Sequence, residues 1–223
     1  MLILVGRQLV NLLGWYTKNM NIQTDTIAAW LGTGSINIFG LPFAGKDTQG
    51  KILADTLNGI LISGGDILRH DHGNEKVQQI MATGGIIPSD LFEEIVVPFL
   101  SRPELHGKPL ILSEVGRIQG EEQVIMRATQ HTGHPTKLVI LLTLTEDEVW
   151  RRFEASQASH DRGERADDNK NVLQTRLDKF RDKVLPVLDF YRAQNLLVEI
   201  DGSLPPEHVT QEIFNCLLAC ANK

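Results

Sequence analysis

Residues Ser35-Ile-Asn-Ile-Phe-Gly40-Leu-Pro-Phe-Ala-Gly45-Lys46-Asp47-Thr48 decide the reading of this chain. Ser35–Phe39 is a short, mostly apolar run, as expected of a buried strand. A glycine-bounded turn follows, and a helical pattern runs from Lys46 to about Leu57. The spacing G-x-x-x-x-G-K carries meaning when it leaves a strand and opens a helix. Glycines let the backbone curl so that several N–H groups point at one centre. The helix N-terminus adds partial positive charge there. The loop therefore reads as a phosphate cradle, with Lys46 reaching the outer phosphates of a bound triphosphate. Gly40, Pro42, Ala44, Gly45, Lys46, Asp47 and Thr48 are its candidate ligand residues. The bland alternative is a glycine-rich turn with an exposed lysine.

Outward from this loop, short apolar runs alternate with helical patterns. Ile60–Ser63, Pro109–Leu112, Lys137–Leu144 and Leu197–Ile200 read as further strands. Asn74–Thr83, Ser89–Leu100, Glu146–Ala158, Val172–Gln194 and Pro205–Ala221 read as helices. Ser89 is placed to cap its helix, and Pro186 to kink or restart the long one. Such alternation implies an α/β fold, with a parallel sheet covered by helices on both faces. Residues 156–171 break the pattern with a polar, charged loop. Residues 1–34 read as an N-terminal extension and 35–223 as a single domain. The first twenty residues are open to two readings, an accessory helix or sequence upstream of a start at Met20.

Composition narrows the partners. The chain has 223 residues and a formal net charge of -6, with no long basic run, so a nucleic acid polymer is a poor fit. No run approaches the ~20 apolar residues that span a bilayer. Cys216 and Cys220 lie four apart on an apolar helical face without metal-binding partners, and read as core residues of a cytoplasmic, monomeric protein.

The details of the loop carry a resemblance. With Pro42 and the ending Lys-x-Thr-Gln, it resembles the adenylate kinase form and not the general one, which has Ser or Thr directly after the lysine. Further segments follow in the family's order. Ile62-Ser-Gly-Gly-Asp66-Ile-Leu-Arg69 resembles the segment whose arginine holds the acceptor phosphate. Met81-Ala-Thr-Gly84-Gly-Ile-Ile87-Pro88 resembles the turn over the acceptor base. Leu110-Ile-Leu-Ser-Glu-Val-Gly-Arg117 resembles a strand running into a second phosphate-gripping arginine. Arg165-Ala-Asp167-Asp168, followed by Arg176, resembles the exit of a lid. Ile200-Asp201-Gly202 resembles a C-terminal signature. The resemblance implies a five-stranded parallel sheet of the nucleoside monophosphate kinase type. It implies a helical acceptor-binding insert at about 63–105 and a short lid at about 153–165.

On that basis Lys46, Arg117, Arg165 and Arg176 are the expected catalytic residues. Arg152 and Gly202 join the phosphate loop in binding ATP. Ser63, Gly64, Arg69, Ile87, Arg117 and Glu121 are expected to bind the nucleoside monophosphate. The reaction implied is ATP plus AMP to two ADP, with Mg²⁺. The alternatives are a kinase of another small molecule, or a catalytically impaired nucleotide-binding relative.

Four positions in and around the phosphate and acceptor segments depart from the family pattern, and a fifth lies at the lid entry. Ser113 stands where an aspartate orients magnesium, with Glu114 next to it but expected to point elsewhere. Asp47 replaces a glycine beside the phosphates. It either supplies the missing magnesium carboxylate or turns to solvent at the helix N-terminus, and both readings are open. Gly64 replaces a threonine. Glu121 stands where a glutamine reads the acceptor base, with Gln119 and Gln123 close by. At the lid entry, Ser156 falls where a second arginine is expected.

Overall fold

The computed structural model describes residues 23–70, 88–159 and 170–223, the side chains of 68–70, 89, 90, 158 and 159 excepted. The expected helix at Asn74–Thr83, the first 22 residues, Ile87 and Arg165 lie outside these.

Helix α1 (23–31) leads into β1 (Ser35–Gly40), and α2 (Lys46–Thr56) follows the phosphate loop. Strand β2 (Ile60–Ser63) runs into α3 (Gly64–His70); α4 (Ser89–Leu100) and a 3₁₀ turn (Pro103–Leu105) precede β3 (Leu110–Ser113). Then come α5 (Glu121–His131), β4 (Thr136–Thr143), α6 (Glu146–Ser159), α7 (Lys170–Lys179), α8 (Leu185–Ala193), β5 (Leu197–Asp201) and α9 (Pro206–Ala221).

The five strands lie in the order β2-β3-β1-β4-β5, all parallel. Strand β1 is central and buried along its whole length. In register, Ile38 faces Ser113 of β3 and Gly40 faces Leu142 of β4. The chain leaves β1 toward one edge of the sheet and later crosses to the other. This switch opens a crevice at the strands' C-terminal ends, where α/β sheets hold ligands.

The core fills both faces. Ile36, Ile38, Leu53, Ile140 and Ile213 form one cluster, and Leu110, Leu112, Val96, Leu100 and Ile125 another. Ile27 and Leu31 of α1 are 0% and 1% exposed within the first cluster, so the end of the expected extension is part of the main core. Cys216 and Cys220 are free thiols packed against the same cluster.

Several boundaries differ from expectation. Residue Pro88 is the N-cap of α4, at φ -56 and ψ 142, so Ser89 is the first helical residue and not the cap. The pyrrolidine ring already sets the extended geometry that a cap requires. Val172–Gln194 is not one helix: a π-helical turn, Phe180–Val184, separates α7 from α8. Pro186 lacks an N–H and crowds the carbonyl four residues earlier, and a widened turn relieves that. Helix α6 continues through Ser159, into the stretch expected to be lid.

Candidate active site

The phosphate loop is built by a strand that ends at the sheet's centre and a helix that starts beside it. Gly45 caps α2 at φ 92 and ψ 14, a left-handed conformation that costs glycine nothing, and no side chain caps the helix. The first N–H groups of α2 are thus left for a ligand. Lys46 Nζ donates to the carbonyls of Gly40 (2.6 Å) and Leu41 (3.1 Å), and its side chain is only 12% exposed. Burial lowers the lysine's pKa from its ordinary value, and Arg176 and Arg117 push the same way against Glu114 and Asp47. Arg117 and Arg176, far apart in sequence, therefore act on one ammonium group.

Phe43 sits in this loop at φ 65, a costly conformation for a bulky side chain. Its ring packs edge-on against Phe153 of α6, with centroids 5.9 Å apart. Arg152, one residue earlier on α6, donates from Nη1 to the Phe43 carbonyl (3.0 Å) and from Nη2 to the Gly202 carbonyl (2.8 Å). Glu148 receives its Nε at 2.8 Å. These bonds hold the guanidinium between α6, the phosphate loop and the turn after β5. Glycine suits position 202: a Cβ there would crowd the carbonyl oxygens of Thr143 at 3.0 Å and Ala44 at 3.3 Å. Arg152 and Gly202 border a cleft of about 440 Å³ whose walls also include Ala44, Gly45, Thr48 and Gln49.

Asp47 lies in the first turn of α2, and Ser113 Oγ donates to its Oδ1 at 3.1 Å. The carboxylate is exposed but tied to the end of β3. Glu114 does not point elsewhere. At φ 54 it turns its carboxylate to within 3.7 Å of Lys46 Nζ, reversing the side-chain direction expected past a strand end.

On the acceptor side, Ser63 and Asp66 form a reciprocal cap at the start of α3. Ser63 N–H and Oγ donate to Asp66 Oδ2 (2.9 and 2.7 Å), and Asp66 N–H donates to Ser63 Oγ (3.1 Å). Gly64 lies open toward Glu114, whose carbonyl oxygen a Cβ would meet at 3.5 Å. Arg69 is on α3. Arg117 is exposed on the loop after β3. Glu121 departs from expectation: it is 3% exposed, and its Oε2 accepts the backbone N–H of Arg117 (2.7 Å) and of Ile118 (3.1 Å). Gln119 and Gln123 are exposed.

Comparison with known proteins agrees with this geometry. A family model described as adenylate kinase matches residues 38–196. The chain belongs to the adenylate kinase family. Among its relatives, an adenylate kinase of Thermus thermophilus is 32% identical, with 82% of this chain and 97% of the relative covered. One of Cyanothece sp. is also 32% identical, over 79% and 91%. One of Fusobacterium nucleatum is 28% identical, over 81% and 96%. The family match begins inside β1 and ends before β5, yet α1, β5 and α9 share the same core.

Three residues of this family member's site escaped sequence reasoning. Phe43 was hidden because its turn conformation is one that aromatic residues rarely adopt. The direction of Glu114 depends on a positive φ that no sequence pattern reveals. Glu148 carried a legible signal, the i,i+4 spacing to Arg152.

Proposed function

We infer that the chain transfers the γ-phosphoryl group of ATP to AMP, giving two ADP. One observation carries this reading: α2 starts at a left-handed Gly45 with no side-chain cap, and Lys46 Nζ is held 2.6 Å from the Gly40 carbonyl of the same loop. Phosphoryl transfer needs positioning and charge stabilisation more than covalent chemistry. In this reading the loop from Gly40 to Thr48 wraps the donor phosphates. The donor base lies in the cleft between Thr48, Arg152 and Gly202. Arg69 and Arg117 grip the acceptor phosphate by forked hydrogen bonds, and Arg165 and Arg176 stabilise the group in flight. Ser63, Gly64 and Ile87 border the acceptor nucleoside.

The residues present suit magnesium, a hard cation that takes oxygen ligands. Asp47 and Ser113 bring a carboxylate and a hydroxyl together at 3.1 Å, beside the loop. The residue after the lysine is also where general phosphate loops place their metal-binding hydroxyl. We assign Asp47 as the magnesium carboxylate, with Ser113 orienting it. When bound, the metal neutralises charge on the outer phosphates.

No helix among the described residues is long and apolar enough to cross a membrane. We read the protein as a cytoplasmic monomer, since one chain supplies both nucleotide sites and its cysteines are free. The test is a coupled assay of ATP against AMP, CMP, UMP and GMP with magnesium. Turnover with AMP is expected. Turnover with none of the four points to a different acceptor, and tight ATP binding without turnover to a binding protein.

A further inference from the structure

We propose that Glu121 is a positioning residue for Arg117, and that its carboxylate takes no part in selecting the acceptor base. The proposal rests on the reading of Arg117 as a ligand of the acceptor phosphate.

Arg117 lies in a connection of irregular backbone between β3 and α5, where Gly116 and Gly120 have φ of 78 and 100. Nothing in that conformation is fixed by a helix or strand ladder. A guanidinium that meets a phosphate through two parallel hydrogen bonds must nevertheless be held within about half an ångström. The side chain of Arg117 is exposed, so it takes its placement from the backbone beneath it.

That backbone is held by carboxylates from the first turn of α5. Glu121 Oε2 accepts from the N–H groups of Arg117 at 2.7 Å and Ile118 at 3.1 Å. Glu122 Oε2 accepts from the Gly120 N–H at 2.7 Å. Both glutamates are buried, at 3% and 2% exposure. Ahead of Arg117, Asn37 brackets Val115 through both its backbone groups. The loop is thus gripped at Val115, Arg117, Ile118 and Gly120.

Glu121 is the member of this set that touches Arg117 itself. Charge-assisted bonds to backbone N–H groups are about twice as strong as neutral ones. A buried carboxylate keeps its charge only while such partners satisfy it. Burial raises the pKa of Glu121, and its two N–H bonds oppose that rise. Turning this side chain outward to read a base would leave both N–H groups unpaired. Holding these two N–H groups keeps the side chain turned toward the loop, and the geometry favours the structural role.

The roles differ in what they do to specificity. A positioning residue changes phosphate capture for every monophosphate by the same factor. A base reader changes the ranking among them. The experiment is calorimetric binding of AMP, CMP, UMP and GMP, with steady-state KM and kcat for AMP and for ATP. The variants are Glu121→Ala, Glu121→Asp, Glu121→Gln and Arg117→Ala. Glu121→Ala and Glu121→Asp are expected to weaken every monophosphate about tenfold, with ATP KM unchanged. Glu121→Gln keeps an oxygen that can accept both N–H groups, and is expected to stay within about threefold of wild type. A changed ranking among the monophosphates in Glu121→Gln overturns the proposal, as does wild-type binding by both Glu121→Ala and Glu121→Asp. If Arg117→Ala binds AMP as tightly as wild type, the assignment of Arg117 fails instead. Glu121→Asp and Glu121→Gln retain a polar group in the buried site, so the test survives if Glu121→Ala does not fold.

Discussion

The hydroxyl of Ser113 donates to the carboxylate of Asp47 across 3.1 Å, tying the end of β3 to the first turn of α2. Two sequence departures, 66 residues apart, are one feature in space. The helix carries a carboxylate at this point, and a hydroxyl stands at the strand end where the resemblance implies a carboxylate.

This pairing makes Asp47→Gly informative. The affinity for ATP in the presence of magnesium is expected to fall about tenfold, while metal-free ATP binds as well or better because an anion has left the loop. Calorimetric titration of ATP with and without magnesium separates the two. An unchanged magnesium dependence would sink the metal assignment and leave Asp47 as a helix N-terminal charge.

Phe43 stores strain and makes a contact, and two substitutions separate these. Phe43→Ala keeps the left-handed backbone and loses the ring's packing on Phe153. Phe43→Gly loses the packing but releases strain worth about 1 kcal/mol or more. The glycine variant should therefore melt above the alanine variant, against the usual ranking of these residues. Both should raise the KM for ATP. Thermal unfolding in the reverse order would show that the left-handed backbone at Phe43 is not strained.

Glu148 holds Arg152 in place, and hydrogen bonds from Arg151 and Arg152 lower its pKa from 4.5 to about 2. A carboxylate with a depressed pKa contributes stability that is fully present above its unfolded value and lost as pH falls through its folded one. The Tm gap between wild type and Glu148→Gln should be constant above about pH 5 and shrink toward zero near about pH 2. Scanning calorimetry over that range checks this. A gap that closes near the ordinary 4.5 would mean that the arginines do not hold the carboxylate.

Asn37 is 1% exposed in the central strand and satisfies both backbone groups of Val115, accepting from its N–H at 3.3 Å and donating to its carbonyl at 2.8 Å. Asn37→Leu leaves both groups unpaired and should cost about 2–4 kcal/mol in denaturant unfolding. AMP binding should weaken as well, since Arg117 follows two residues later. A loss under about 1 kcal/mol would mean that water replaces the amide.

Much of the fold was legible. Each of the five strands lies within a residue or so of its predicted bounds, because short apolar runs between turn residues have few other homes. Helices α1, α3 and α5 were not foreseen. Their apolar faces are short, as in α5 with Val124, Ile125 and Ala128, and packing rather than pattern makes them helical. The phosphate loop was legible because its spacing is local: glycines, lysine and helix start act within a dozen residues.

Sequence by itself determined the parallel α/β architecture, the phosphate loop and the family, since each rests on local spacing or on an ordered series of segments. Only the tertiary structure decided side-chain roles set by long-range pairing. Asp47 meets Ser113, Phe43 meets Phe153, and Glu114 reaches Lys46 through a backbone angle that no pattern reveals. Glu121 illustrates the difference most directly. Its place in the chain implies a base reader by resemblance, and only the fold shows its buried carboxylate accepting from the backbone N–H groups of Arg117 and Ile118.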